Sequence, residues 1–196
     1  MTTHPILFST PMVQAILEGR KTMTRRIIKS PTGLFGIGMA KYEPNTNFHY
    51  HNREVIALDE NERSVKNILC PYGHPGDVLW VREKWSDGCM GGYIYAGGRT
   101  EQELKDYSYS YSWRPSIHMP KAACRIFLKI TDIRVERLQD IDESDAKDEG
   151  MISSCINNYC DHFMEVWETI NGKKSWDENP WVWVISFERC EKPENF

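Results

Sequence analysis

The sequence predicts an α+β fold: a small mixed, mostly antiparallel β-barrel with two or three flanking helices and two loop insertions. Three observations lead there. Short apolar runs bounded by glycine, proline and aspartate dominate the chain. Helical periodicity is confined to a few segments, so the chain lacks the regular strand–helix alternation of a doubly wound parallel sheet. The longest strand signal, Ala122 to Val135, changes phase part-way. Its apolar residues are even-numbered at Ile126, Leu128 and Ile130, then odd at Ile133 and Val135. That slip at Thr131-Asp132 predicts a β-bulge or corner, a device by which small barrels bend a strand.

The elements follow in order. His4 to Ser9 reads as a first strand. Pro11 to Glu18 reads as a short helix with Thr10 as N-cap, Pro11 at the first helical position and Gly19 as the left-handed residue past its end. Thr22 to Ile28 mixes β-branched and polar residues and suits a second strand. Residues of about 30–66 show little periodicity and form the first insertion, of loops or short hairpins. The turn cluster Cys70 to Asp77 feeds Val78 to Glu83, which is apolar on both faces and therefore central. Gly91 to Gly98 holds a short strand between glycine pairs, inside a second insertion of about 86–118. There Tyr107, Tyr109, Tyr111 and Trp113 alternate, as residues sharing one strand face do. After the long strand, Leu138 to Gly150 reads as a helix with Asp142 as N-cap and Gly150 just past its end. Tyr159, Phe163, Val166, Trp167 and Ile170 recur at helical spacing up to Gly172, and their stripe reads as core packing. Trp181 to Arg189 closes the chain as a strand, with Trp181, Trp183, Ile185 and Phe187 on one face and Val182 and Val184 on the other. No repeat or low-complexity tract appears, and 196 residues read as one domain.

Apolar content of 40% and charged content of 27% are those of an ordinary globular chain. No stretch is long and apolar enough for a bilayer and the N-terminus carries no signal peptide, so a cytoplasmic protein without membrane contact is expected. A net charge of −4 excludes a uniformly basic nucleic-acid binder, yet the charge is uneven. Residues 20–29 carry five cations and no anion, whereas residues 136–149 are rich in carboxylates. The two segments either face each other or frame a polar site. The six cysteines include no CxxC pair and read as free thiols. Cys155, Cys160 and His162, with His49, His51 or Cys70 to complete them, match no familiar zinc spacing, so neither a metal nor another cofactor is expected. Walker, GxGxxG, HExxH, GxSxG and catalytic Cys-His signatures are missing, which removes most common hydrolase and nucleotide-binding classes.

The chemistry concentrates in Gly19 to Arg26, which packs four cations and two hydroxyls just past a helix C-terminus. It reads either as a solvated basic turn or as an anion-binding or catalytic strip. A desolvated Lys21 could act as base towards Thr24, whose hydroxyl is a poor nucleophile without such a partner. Glu149, in the last turn of a helix whose macrodipole opposes negative charge, suits proton transfer. Arg20 or Arg26 could steady an oxyanion. Arg25, Arg26 and Arg82 are candidate phosphate contacts, against the plainer reading of a solvated strand face. Trp113 and the tyrosines could stack on bases or simply pack. His118 is either a general acid or phosphate contact, or a structural hydrogen-bonded residue.

The run Ile16 to Arg26 resembles the signature of the ASCH domain, a branch of the PUA-like superfamily. Gly76-Asp77-Val78-Leu79 is similar to that family's entry into a barrel strand. Ile130 to Gly150 is similar to its strand and following helix, and Trp183 to Phe187 to its closing strand. The Cys70 to Gly73, Trp113 to Pro120 and Asn171 to Trp176 runs resemble the longer ASCH proteins of bacteriophages and prophages. The resemblance implies a PUA-like β-barrel with a cleft for RNA or a modified nucleoside. One small member class removes acetyl from acetylcytidine, and its Lys, Thr and Glu catalytic positions fall on Lys21, Thr24 and Glu149. Other members are ribonucleases. This chain is much longer than the small amidohydrolases. A reader of RNA or of a modified base, without turnover, is the alternative.

Overall fold

The computed structural model describes residues 1–28, 47–51, 54–58, 64–88, 90–108, 110–153 and 158–196. In chain order the elements begin with β1 (Thr3–Leu7), α1 (Thr10–Leu17), β2 (Met23–Ile27), β3 (Asn47–His51), β4 (Glu54–Leu58) and β5 (Ser64–Leu69). Then come β6 (Val78–Arg82), β7 (Trp85–Asp87), β8 (Tyr93–Tyr95) and α2 (Glu101–Ser108). The last are β9 (Phe127–Arg137), α3 (Glu143–Asp148), α4 (Tyr159–Asn171) and β10 (Trp181–Cys190). The architecture is mixed α+β and mostly antiparallel.

The main sheet has the order β1-β6-β9-β10-β2, with β1–β6 parallel and the other three ladders antiparallel. β6 lies between two partners, as its two apolar faces require. The first insertion contains a three-stranded antiparallel meander, β3-β4-β5, and β7 pairs with β8 in a hairpin. No ladder joins β1 to β2 among the described residues, so the strand order is open where a closed barrel was expected. A side chain spans that gap: Arg26 Nη2 donates to the Leu7 carbonyl at 2.6 Å.

β10 divides the core. Trp183, Ile185 and Phe187 pack with Ile126, Leu128, Ile130, Ile133 and α1 on one face, while Val182 and Val184 join Met23, Leu138, Phe163 and Trp167 on the other. The expected bulge is present. Asp132 opposes Ser186 and Ile130 opposes Phe187, which leaves Thr131 without a partner in the ladder. Two successive outward residues, Thr131 and Asp132, change the parity and keep Ile130 and Ile133 on one face.

Helix ends follow local chemistry with one correction. The N-cap of α1 is Ser9, extended at φ −71° and ψ 161°, and Thr10 is already helical. The Asp142 side chain caps α3 by accepting from the Asp145 N–H at 2.8 Å. A fourth helix, α2, occupies the second insertion where only loop was expected. Tyr107 therefore sits on a helix, its ring 5.4 Å from and stacked on that of Tyr111, and the proposed strand face of alternating aromatics does not exist there. Tyr109 lies outside the described residues. No helix among the described residues is long and apolar enough to cross a membrane.

Candidate functional site

The site is built where the turn after α1 meets the end of α3. The Ala15 carbonyl accepts from both the Arg20 and the Lys21 N–H groups, fixing the turn that leads into β2. The Thr22 N–H donates to the Asp148 carbonyl at 2.8 Å, and Lys21 pairs with Glu149 as an isolated antiparallel bridge. Gly150 makes this approach possible. Its φ is +89°, and a Cβ there would lie 2.9 Å from both Ala15 Cβ and Lys21 Cβ.

The approach buries an ion pair. Lys21 Nζ donates to Glu149 Oε2 at 2.6 Å and to the Glu149 carbonyl at 2.8 Å, with each residue only 2% exposed. Burial pushes Lys21 below the ordinary lysine range, and the Glu149 carboxylate partly opposes that shift. Glu149 Oε1 makes no hydrogen bond; Arg25 Nη1 stands 3.6 Å away.

Arg25 anchors a second set of charges. Its guanidinium pairs with Asp145 and with Glu136, the latter at 3.2 Å, and Arg134 pairs with the same two carboxylates. The basic strip and the acidic segment therefore face each other in part. Arg25 is 4% exposed, and its guanidinium is held by carboxylates.

Thr24 and Glu149 both line a cavity of about 270 Å³. One wall is β2 from Thr24 to Ile27. The others come from Leu7, Met12, Tyr72, Met151 and the α4 residues Phe163, Val166, Trp167 and Ile170. No hydrogen bond joins Lys21 to Thr24 among the described residues. Lys21 gives its two bonds to Glu149. A larger cavity of about 720 Å³ runs between α1 and α4, and Met12, Glu149, Met151, Val166 and Ile170 border both spaces. The α4 stripe thus does more than fill the core.

The remaining candidates fall elsewhere or have other work. Arg20 donates to the Gly150 carbonyl at 2.7 Å and pairs with Glu18. Arg26 lines the smaller cavity, over the Phe8 ring at 5.1 Å, and burial lowers its pKa. Arg82 donates to the Ile117 carbonyl. Trp113 borders a third cavity, of about 500 Å³, with Lys84, Phe8 and Ser9, the last of which also lines the 720 Å³ space. His118 is exposed in a short 3₁₀ turn and lines none of the three spaces. Arg82, Trp113 and His118 are therefore not gathered around Lys21.

Among the described residues no group of three or more histidine, cysteine or carboxylate side chains could hold a metal ion. Cys155 lies outside them. His162 Nδ1 is 2.9 Å from the Ile152 carbonyl oxygen.

Sequence reasoning missed Glu136 and Asp145 as partners of Arg25, Arg134 as the second guanidinium on those carboxylates, and Tyr72 and Met151 as cavity residues. The charge asymmetry between the two segments was the available signal for the two carboxylates. No family model, curated protein or solved structure matches the chain.

Proposed function

We propose that this chain is an ASCH-type, PUA-like protein that takes RNA or a modified nucleoside into the β2–α4 cavity and hydrolyses an amide of the acetylcytidine kind. Its five-stranded sheet then forms part of a PUA-like barrel, a seam of which Arg26 spans. One observation carries the reading: Glu149, ion-paired with the buried Lys21, lines a cavity that Thr24 also lines. Buried titratable pairs in a cleft are the usual mark of proton-transfer sites.

In this reading the base lies against β2 and the acyl group extends past Glu149 towards the larger cavity. Lys21, for which burial makes the neutral amine accessible, takes the Thr24 proton as Oγ1 attacks the acyl carbon. Glu149, reprotonated through its bond to Lys21, gives a proton to the amine as the C–N bond breaks. Water then attacks the acyl-Thr24 ester, releasing the carboxylic acid and restoring the hydroxyl. Arg26, the cavity's remaining guanidinium, steadies the oxyanion.

The test uses Thr24→Val, which removes only the hydroxyl from a buried strand position. Hydrolysis of N4-acetylcytidine should fall by about a thousandfold or more, with circular dichroism and melting unchanged. Wild-type turnover in Thr24→Val would sink the mechanism. A second reading, a binding module without turnover, is favoured by the Lys21 ammonium spending both its hydrogen bonds on Glu149. It predicts nucleoside or RNA binding that survives Thr24→Val, together with no detectable product from the wild-type protein.

A further inference from the structure

The edge of β2 that faces away from β10 has no ladder partner among the described residues. The Phe187 N–H donates to the Thr22 carbonyl at one end of the ladder, and the Ile28 N–H donates to the Trp181 carbonyl at the other. Antiparallel pairs alternate, so the even-numbered residues of β2 point their backbone groups at β10, and Met23, Arg25 and Ile27 point theirs away. No second strand meets that edge among the described residues. Thr24, Arg25, Arg26 and Ile27 all line the 270 Å³ cavity. A strand whose side chains alternate between faces lines one space with four successive residues through its edge.

We propose that the Arg25 N–H and C=O form a main-chain reader for the hydrogen-bonding edge of a single nucleobase; this rests on the nucleoside reading above. A residue at a free strand edge offers a donor and an acceptor side by side. That pair complements an adjacent acceptor and donor on a pyrimidine, such as N3 with the exocyclic N4–H of cytosine, or N3–H with O4 of uracil. The rest of the cavity suits the faces of such a ring. Met151, Phe163, Val166 and Trp167 supply apolar and aromatic surface, and Tyr72 and Arg26 supply a polar rim. Glu149 Oε1, buried and without a hydrogen bond, belongs to a residue lining the same space and meets an exocyclic N–H. A volume of about 270 Å³ holds one ring with its sugar at the mouth, since whole drug-sized ligands take about 300–1,000 Å³. An added peptide strand needs a long open edge. Here the Arg26 side chain crosses from β2 to Leu7 and interrupts it.

The inference assigns recognition to the main chain, so side-chain substitutions alone do not test it. The intact protein, labelled with ¹⁵N, is titrated with cytidine and uridine and with their N3-methyl derivatives. The unmethylated nucleosides should bind, shift the Arg25 amide resonance and slow its hydrogen exchange by about tenfold or more. N3-methylation should weaken binding by about tenfold or more, as loss of a paired hydrogen bond and a steric block together require. Equal binding of the methylated nucleosides with unchanged exchange at Arg25 would overturn the edge reader while leaving the nucleoside site standing. No binding of any nucleoside would overturn both. Concentration-dependent protection of the Met23, Arg25 and Ile27 amides without nucleoside would assign the edge to pairing between chains instead.

Discussion

Lys21 is held by one carboxylate, and that carboxylate is held by Lys21 and, more distantly, Arg25. Removing one partner of a buried pair leaves the other uncompensated, so Glu149→Gln should cost about 3–5 kcal/mol in urea unfolding. The double variant Lys21→Met/Glu149→Leu should recover most of that loss, because a buried ion pair and an apolar pair of similar volume differ little. Cys70 makes a separate prediction. Burial raises its thiol from 9.0 to about 11. The folded chain keeps a proton that the unfolded chain gives up, so this stability is present below pH 9 and is lost as pH rises through about 11. Between pH 8 and pH 10.5 the wild type should lose about 2 kcal/mol more unfolding free energy than Cys70→Ala, because the other raised thiols, Cys124 and Cys160, are common to both. At this scale the sequence singled out Lys21 and Glu149, and the two side chains meet. The partners of Arg25 were not legible. Which carboxylate meets a given guanidinium depends on the β2–β10–β9 register, and only the opposite charge of the two segments hinted at it.

Elements were legible where their signals were chemical and short-range. The phase slip in β9 gave the bulge, and the parity of β10 gave both faces of the sheet. Substituting Thr131→Ala should therefore stay within about 0.5 kcal/mol, whereas Ile133→Ala, two residues on, should cost about 2–5 kcal/mol. Helix α2 was missed because it is polar and its apolar stripe is weak. Its start was nevertheless written in the sequence. Thr100 and Glu103 form a capping box, with the Thr100 N–H donating to Glu103 Oε2 at 2.7 Å and the Glu103 N–H donating to Thr100 Oγ1 at 3.2 Å. The end of α3 carries the element-scale prediction for the site. Gly150→Ala strains a left-handed residue and drives a methyl into Ala15 and Lys21, so melting should fall and the Lys21–Glu149 contact should open.

At the scale of the whole molecule, the mixed, mostly antiparallel architecture was legible from the balance of short strands over helices. The strand order was not, since every ladder of the main sheet except β9–β10 joins elements separated by other strands, and no local pattern encodes such pairings. The first insertion shows the same limit, because its meander β3-β4-β5 arises in a stretch of weak periodicity. The order of the main sheet has one further consequence. Among the described residues, β2 has β10 as its ladder partner, with β3 to β9 lying between them in the sequence. Lys21 and Glu149 are likewise 128 positions apart. A nascent chain must hold β2 and its basic strip unpaired until residues 181–190 emerge, so a polypeptide stopped at Asn179 should show no near-ultraviolet circular dichroism of a packed core. High contact order of this kind makes refolding slow, in the range of milliseconds to seconds. The lysine–glutamate contact also waits on translation, since it cannot close before residue 149 has been made.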